Sequence, residues 1–358
     1  MRELGEFALI DRINSGRVQT PGVLLGPGDD AALVAAPDGR FVVTTDMLVQ
    51  DRHFRLDWSS PQDIGRKAIA QNAADVVAMG AVPSAFVVAL GCPADTPLDV
   101  VDGLADGMWA EAARAGASIA GGDLVRSRDI VISVTAFGDL RGRAAITRAG
   151  ARVGDTVAVA GRLGWSAAGL AILTAGAESD DFAEALAAHR VPQPPYAAVL
   201  NALSGTTAAE TPDSTVADAD GNAPHQRPSS VGASDRAQDD FGPNALTDVS
   251  DGLLADLGHI AASSEVAIDL DSAALRDNAL DRIAARLDAD ATQWILTGGE
   301  DHAFVGTWSP GCALPAGWVP IGRVSAGHGV TVDGAPRPGS AGWESFGGVD
   351  SAVAGEPR

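Results

Sequence analysis

The chain has 358 residues with 46% hydrophobic side chains, which is enough to bury a substantial core and excludes general disorder. Its formal net charge is −22, from 47 acidic and 25 basic residues, and so acidic a surface disfavours binding to nucleic acids and anionic membranes. The charged N-terminus does not resemble a signal peptide, and no apolar run reaches the roughly 18 residues of a membrane span, so we expect a cytoplasmic protein with neither partner.

Strands and helices alternate along the first half of the sequence. Short apolar or β-rich runs predict strands at residues 41–45, 85–90 and 130–137. Apolar residues at helical spacing, ended by glycine or proline, predict helices at residues 63–79 and 98–115. This half therefore contains the alternating pattern of an α/β or α+β domain.

A polar, glycine-containing stretch at residues 148–154 separates this half from a second one with the same pattern. The second half has predicted strands at 156–160, 245–249 and 266–270 and predicted helices at 166–173 and 253–262. We therefore predict two domains, residues 1–148 and residues 149–358. Residues 204–243 are rich in small and polar residues and contain neither leucine nor isoleucine, which predicts a disordered insertion in the second domain.

Acidic residues recur in five short segments, most of them flanked by glycine. They are GPGDD (26–30), TTD (44–46), Asp75 one turn after Asn72 in the predicted helix, GGD (121–123) and DVSDG (248–252). Each segment alone is compatible with an ordinary turn, and Asp251 alone with a helix cap. Together they indicate a site, because Asp46, Asp123 and Asp248 are predicted at or just beyond strand ends, where ligand sites of α/β sheets gather.

The side chains of these segments favour a magnesium site. Carboxylates are hard oxygen ligands of the kind that Mg²⁺ binds together with phosphates and waters, and the hydroxyls of Thr44, Thr45 and Ser250 are compatible with them. Zinc is disfavoured because the sequence has no histidine–cysteine cluster at ligand spacing. Phosphoryl transfer needs positioning and charge neutralisation, for which Arg148 is a candidate phosphate contact. The sequence therefore predicts a Mg²⁺-dependent phosphoryl-transfer enzyme that lacks the Walker A, protein-kinase and dinucleotide motifs.

In this order, the segments resemble the thiamine-monophosphate kinase family. The resemblance is carried by GEFALI (5–10), GPGDDAAL (26–33), VVTTDMLVQDRHF (42–54), DIGRKAIAQNAADVVAMGAVP (63–83), GGD (121–123), ITRAGARVGD (146–155), DVSDGLLADLGHI (248–260), TGGED (297–301) and IGRV (321–324). It covers nearly the whole chain apart from the insertion. The wider superfamily, which includes aminoimidazole ribonucleotide synthetase and selenophosphate synthetase, shares the acidic nucleotide site.

The resemblance implies a two-domain, aminoimidazole ribonucleotide synthetase-like α/β fold and a homodimer formed through the sheet of the N-terminal domain. It implies transfer of the ATP γ-phosphoryl group to thiamine monophosphate, giving thiamine diphosphate and ADP, with several Mg²⁺ ions. The matching metal positions are Asp30, Thr44, Thr45, Asp46, Asp75, Asp123, Asp248 and Asp251. Those for ATP are Gly122, Asp123, Arg148 and Ser250, and those for the substrate are His53, Glu300 and Trp343.

The chain departs from the family pattern at several places, three of which concern the predicted site. Leu124 and Val125 follow GGD where the family usually has two threonines, His302 and Ala303 follow GGED where it usually has Tyr-Glu, and Trp343 stands where it usually has tyrosine. Tryptophan still offers a ring face to a cationic thiazolium.

Two alternatives remain open at this point. One is a superfamily relative that releases phosphate from ATP while acting on another substrate. The other is a non-catalytic protein that binds Mg·ATP without turnover.

Overall fold

The computed structural model describes residues 12–25, 32–204 and 242–343. The motif at 5–10, the Asp30 segment and nearly all of the predicted insertion lie outside these residues. The first half contains β1 (Val23–Leu25), β2 (Leu33–Val34), β3 (Val42–Val49), α1 (Pro61–Ala78), β4 (Val82–Cys92), α2 (Leu98–Arg114), β5 (Ser118–Arg126) and β6 (Val131–Asp139).

The second half begins with a 3₁₀ turn at Arg148–Gly150. Its further elements are β7 (Thr156–Ala160), α3 (Trp165–Ala175), a 3₁₀ turn (Asp180–Phe182), α4 (Ala183–Arg190), α5 (Tyr196–Leu203), β8 (Ala245–Val249), α6 (Leu253–Ser264), β9 (Ala267–Leu270), α7 (Asn278–Leu287), α8 (Ala291–Thr297), β10 (Ala303–Trp308), β11 (Trp318–Ser325) and β12 (Gly329–Val332).

Two large mixed sheets organise these elements. The first has the strand order β3-β6-β4-β5, in which β4 and β5 are parallel and the other pairs antiparallel. The second has the order β12-β9-β11-β7-β10-β8, in which only the β12–β9 pair is parallel. The mixed α/β class is therefore confirmed. The 3₁₀ turn at Arg148–Gly150 lies between the two sheets along the chain, and a domain boundary after residue 148 stays a prediction.

Strand β3 is longer than the sequence pattern predicted, and strand β5 is not among the predicted strands. β3 pairs with β6 along all of its residues, so Thr44, Thr45 and Asp46 lie within the strand and not after it. Asp123 likewise lies within β5, where it pairs with β4. The prediction that Asp46 and Asp123 lie at strand ends is therefore wrong, because ladder hydrogen bonds extend both strands beyond their apolar runs. Asp248, the next-to-last residue of β8, does lie at a strand end.

Helix α1 is fixed at its start by local chemistry and along its length by close packing. Ser60 and Asp63 form a capping box, each side chain accepting a hydrogen bond from the other residue's backbone N–H, and proline opens the first turn. A Cβ at Gly65 would overlap the Leu104 carbonyl oxygen of α2, so only glycine permits this approach. The helix is buried on nearly every side, against α2, the first sheet and the edge of the second.

The hydrophobic core joins the two sheets. One cluster of buried side chains contains Ile69 of α1 and Ile132 of β6 and continues to Phe304 and Trp308 of β10. A second cluster covers the other face of the six-stranded sheet and includes Leu257 of α6. The junction between α1, β3 and β8 is therefore held rigidly from both halves. Among the described helices, none is long and apolar enough to cross a membrane.

Candidate active site

Helix α1 packs against strand β3 and brings its Asp75 close to Asp46 of the strand. Successive side chains of a strand point to opposite faces, and Thr44 and Asp46 share the face that packs on α1. The Thr44 hydroxyl donates to Asp75 Oδ2 at 2.9 Å, and the Asp46 backbone N–H donates to Asn72 Oδ1 at 2.9 Å. Asn72 is itself fixed, because its Nδ2 donates to the Ala68 carbonyl oxygen at 2.9 Å. Asp46 and Asp75 therefore lie in one small region.

Strand β8 adds a third carboxylate, the buried Asp248. Burial raises the pKa of Asp75 to about 7, with further contributions from the charges of Asp248 and Asp46. Burial also raises the pKa of Asp46, again with a contribution from Asp248. Carboxylates from β3, α1 and β8 thus form one electrostatic cluster, although they are far apart in the sequence.

His302 contacts this carboxylate cluster directly. Its Nδ1 lies 2.9 Å from Asp248 Oδ2, and both side chains are buried. Burial alone would lower the pKa of His302, but the hydrogen bond and charge of Asp248 raise it above its usual value. His302, which stands where the family usually has tyrosine, is therefore paired with Asp248, a predicted metal ligand. Apart from that departure from the family pattern, no feature of the sequence indicated this pairing.

The Asp256 side chain fixes the backbone of the loop after β8. Its Oδ2 accepts from the backbone N–H groups of Asp251 and Gly252, each at 3.1 Å. The alternative that Asp251 caps the helix is wrong, because Gly252 is the cap residue of α6 and makes no side-chain cap. Burial, followed by the charge of Asp248, raises the pKa of Asp251. Arg148 lies beside this loop, with its Nε donating to Thr247 Oγ1 at 3.3 Å.

The predicted substrate residues His53 and Glu300 meet at Lys67. The Lys67 ammonium lies 2.7 Å from Glu300 Oε1 and donates to the His53 carbonyl oxygen at 3.0 Å. Burial alone would raise the pKa of Glu300, but the Lys67 charge holds it below its usual range. Burial lowers the pKa of His53, whose Nδ1 accepts from the Val49 backbone N–H at 3.0 Å. Sequence reasoning missed Lys67, although a lysine amid apolar helix residues was a usable signal.

The predicted residues Ser250 and Trp343 lie on the two sides of the Asp251 loop. The Ser250 carbonyl oxygen accepts from the Glu300 backbone N–H at 2.7 Å. The Trp343 backbone N–H donates to the Asp251 carbonyl oxygen at 2.9 Å, and the Trp343 side chain is 65% exposed. The structure therefore brings both residues to the loop that follows the carboxylate cluster.

Thr45 and Asp123 lie on the opposite, open face of the four-stranded sheet. Strand alternation places Thr45 away from Asp46, and its hydroxyl donates to the Val134 carbonyl oxygen at 2.9 Å. The register runs from Asp123 across β4 and β6 to Met47, which shares the face of Thr45. Gly122 precedes Asp123 in the same strand. Within one chain, Thr45 and Asp123 are therefore separated from the carboxylate cluster, whereas the register places Gly122 on the face of Asp46.

The donor set fits Mg²⁺ that arrives with a phosphate-bearing ligand. Across residues 12–25, 32–204 and 242–343, no three histidine, cysteine, aspartate or glutamate side chains converge closely enough to hold a metal ion. Mg²⁺ does not require such a cage, since it commonly binds one or two carboxylates and completes its shell with phosphate oxygens and waters. The raised pKa values of Asp46 and Asp75 reflect in part repulsion from neighbouring carboxylates, above all Asp248, which a divalent cation would relieve.

Comparison with known proteins agrees with this architecture. Residues 28–140 match the family model "AIR synthase related protein, N-terminal domain". The thiamine-monophosphate kinase of Mycobacterium tuberculosis is 54% identical over 355 residues, covering 98% of this chain and 94% of that protein.

Two solved structures share the fold over nearly the full length. The thiamine-monophosphate kinase of Stenotrophomonas maltophilia superposes with a TM-score of 0.73 at 33% identity, covering 93% of this chain and 98% of that one. AaThiL complexed with AMPPCP and TMP superposes with a TM-score of 0.71 at 29% identity, covering 97% and 98%. Because 98% of this chain aligns with the Mycobacterium protein at 54% identity, the chain belongs to the thiamine-monophosphate kinase family.

Proposed function

We propose that this protein transfers the γ-phosphoryl group of ATP to thiamine monophosphate, giving thiamine diphosphate and ADP. The observation that carries the proposal is the cluster of the half-buried Asp46 and Asp75 with the buried Asp248, beside the Lys67–Glu300 pair, in a member of this family. The complex of AaThiL with an ATP analogue and TMP supports the choice of the two substrates.

We propose that the carboxylate cluster binds the phosphates of the substrates through Mg²⁺. The proposed Mg²⁺ positions are Asp30, Thr44, Thr45, Asp46, Asp75, Asp123, Asp248 and Asp251. When bound, Mg²⁺ neutralises charge on the phosphates and orients them for in-line displacement. Arg148 and Ser250, both close to Asp251, are proposed contacts to ATP, with Gly122 and Asp123 from β5. The guanidinium suits this role because it matches phosphate oxygens in a bidentate way.

The cationic end of thiamine monophosphate is assigned to Glu300, His53 and Trp343. The Glu300 side chain is 35% exposed and its carboxylate is held ionised by Lys67, which places a negative charge near a cationic ligand. The exposed Trp343 ring offers a face for a cation–π contact with the thiazolium. These three groups would set affinity for the substrate, while the carboxylate cluster would act on its phosphate.

The reaction requires no general base from the protein. The acceptor is an oxygen of the phosphate group of thiamine monophosphate. The second pKa of a phosphate monoester is about 6, so this group is largely ionised near neutral pH. Positioning and charge neutralisation then supply the catalysis. This matches a site whose described side chains are mainly fixed carboxylates and hydroxyls.

We also propose a homodimer formed through the open face of the four-stranded sheet, with domains at residues 1–148 and 149–358. This face exposes Val43, Met47 and Val125, and an apolar patch on a sheet is typical of an interface. Thr45 and Asp123 lie on the same face, so their part of the site would be completed across the dimer.

The proposed activity is tested by incubating the folded protein with ATP, Mg²⁺ and thiamine monophosphate and separating the thiamine phosphates by chromatography. We expect thiamine diphosphate and ADP in equal amounts, and none when Mg²⁺ is chelated. A folded protein that forms no thiamine diphosphate contradicts the proposal.

A further inference from the structure

The single lysine of the chain, Lys67, is buried within α1 with only 2% of its side chain exposed. A buried ammonium is costly unless it is paired and hydrogen-bonded. Its partners are Glu300 Oε1 at 2.7 Å and the His53 carbonyl oxygen at 3.0 Å. His53 follows β3 of the first sheet and Glu300 precedes β10 of the second, so Lys67 links the two halves of the molecule.

The backbone of Glu300 has a strained conformation. Its φ of 65° lies in the left-handed region, which a glutamate adopts only where the surroundings enforce it. Its backbone N–H donates to the Ser250 carbonyl oxygen at 2.7 Å, which fixes the loop, and Lys67 fixes the carboxylate. The Glu300 side chain nevertheless remains 35% exposed, so part of it is accessible to a ligand.

Lys67 is the charged partner of this carboxylate. His189 Nδ1 also approaches Glu300, at 3.7 Å from Oε2. Burial, followed by the charge of Lys67, lowers the pKa of His189 to about 4, so this imidazole is neutral near pH 7. Among the described side chains, removing the ammonium would therefore leave Glu300 Oε1 without its ion-pair partner.

We infer that Lys67 is a positioning residue for thiamine monophosphate, which fixes the Glu300 carboxylate and the His53 loop at the separation that the substrate requires. The inference rests on the proposed function, because Glu300 and His53 are the proposed substrate contacts. Lys67 itself is too buried to touch the substrate, so it acts through them.

The test is Lys67→Met, which keeps the length of the side chain and removes its charge. We expect the KM for thiamine monophosphate to rise at least tenfold and the KM for ATP to change less than twofold. The matched control is Arg66→Met on the neighbouring residue, which breaks a 3.1 Å pair with the fully buried Glu111. That variant is expected to lower Tm and to leave both KM values unchanged.

A double variant shows whether Lys67 acts through Glu300. We expect the KM for thiamine monophosphate of Lys67→Met/Glu300→Gln to lie within about threefold of that of Glu300→Gln alone, since coupled residues are not additive. The inference would be overturned if the two substitutions raised the KM for thiamine monophosphate independently, so that the increases multiply in the double variant. An unchanged KM in Lys67→Met would also overturn it. A loss of Tm with equal rises in both KM values would show a purely structural role and would also overturn it.

A measurement on the wild-type protein does not depend on the folding of any variant. Because the chain has one lysine, an amine-specific reagent followed by mass spectrometry reports on Lys67 separately from the N-terminal amine. We expect thiamine monophosphate to slow the labelling of Lys67 at least threefold, and equal rates would overturn the inference. A wild-type protein without thiamine diphosphate product contradicts the proposed function itself, and that result is read before any variant is compared.

Discussion

Replacing Asp75 with asparagine relieves the repulsion within the carboxylate cluster. Burial, together with the charges of Asp248 and Asp46, raises the pKa of Asp75 from 3.8 to about 7. One pKa unit corresponds to about 1.4 kcal/mol, so the ionised carboxylate costs the folded, metal-free protein at most about 4 kcal/mol. Asparagine keeps an oxygen for the Thr44 hydroxyl but retains part of the desolvation cost. We expect Asp75→Asn to raise the free energy of unfolding at pH 8 by about 2 kcal/mol.

The stabilisation depends on pH in a defined direction. The unfolded chain releases the Asp75 proton near pH 4, whereas the folded protein keeps it up to about pH 7. The free energy of unfolding of the wild type therefore falls between these two pH values because of this residue, and asparagine removes that fall. The advantage of Asp75→Asn is absent at about pH 4 and complete above pH 7.

Urea unfolding in the presence of a chelator, at about pH 4.5 and pH 8, measures this difference. The exposed Asp95→Asn variant is the control, since it removes a carboxylate outside the cluster. The same Asp75→Asn variant should lose activity by about 100-fold in kcat, because it removes a proposed metal ligand. A variant that is less stable than the wild type at pH 8, or that keeps its kcat, would refute the reasoning.

Three further substitutions separate catalysis, substrate binding and assembly. Asp46→Asn should lower kcat by about 100-fold while Tm stays within a few degrees, and a matching loss of Tm would mark Asp46 as structural instead. His53→Ala should raise the KM for thiamine monophosphate with little change in kcat, and an unchanged KM in steady-state assays counts against a substrate contact. Met47→Arg places a charge on the open sheet face, where the native side chain is 52% exposed, and should convert the proposed dimer to a monomer in light scattering. A dimer that survives this substitution contradicts the proposed interface.

The elements that the sequence predicted best are those that local chemistry specifies. Strands β7 and β8 have the predicted bounds, because each is a short, mainly apolar or β-branched run followed by glycine or serine. Helix α1 begins two residues before the predicted start, at a capping box that the prediction did not use. The true extents of β3 and β5 depend on pairing with strands distant in the chain, and local patterns do not contain that information.

The candidate site was predictable as a set of residues but not as an arrangement. Asp46, Asp75 and Asp248 could be singled out by their segments, and the structure places them within electrostatic reach of one another. Alternation along β3 would have separated Thr45 from Asp46, had the strand been extended correctly. The partners His302 and Lys67 could not be assigned, because each contacts a carboxylate from another part of the fold.

In the proposed reaction, the phosphoryl group moves directly from ATP to thiamine monophosphate. The most direct test of this transfer uses ATP labelled at the γ-phosphorus, with Mg²⁺ and thiamine monophosphate, followed by separation of the products. We predict that the label appears in thiamine diphosphate, one for each ADP formed, and does not accumulate as inorganic phosphate. Label recovered only as inorganic phosphate, with thiamine monophosphate unchanged, would contradict the assignment.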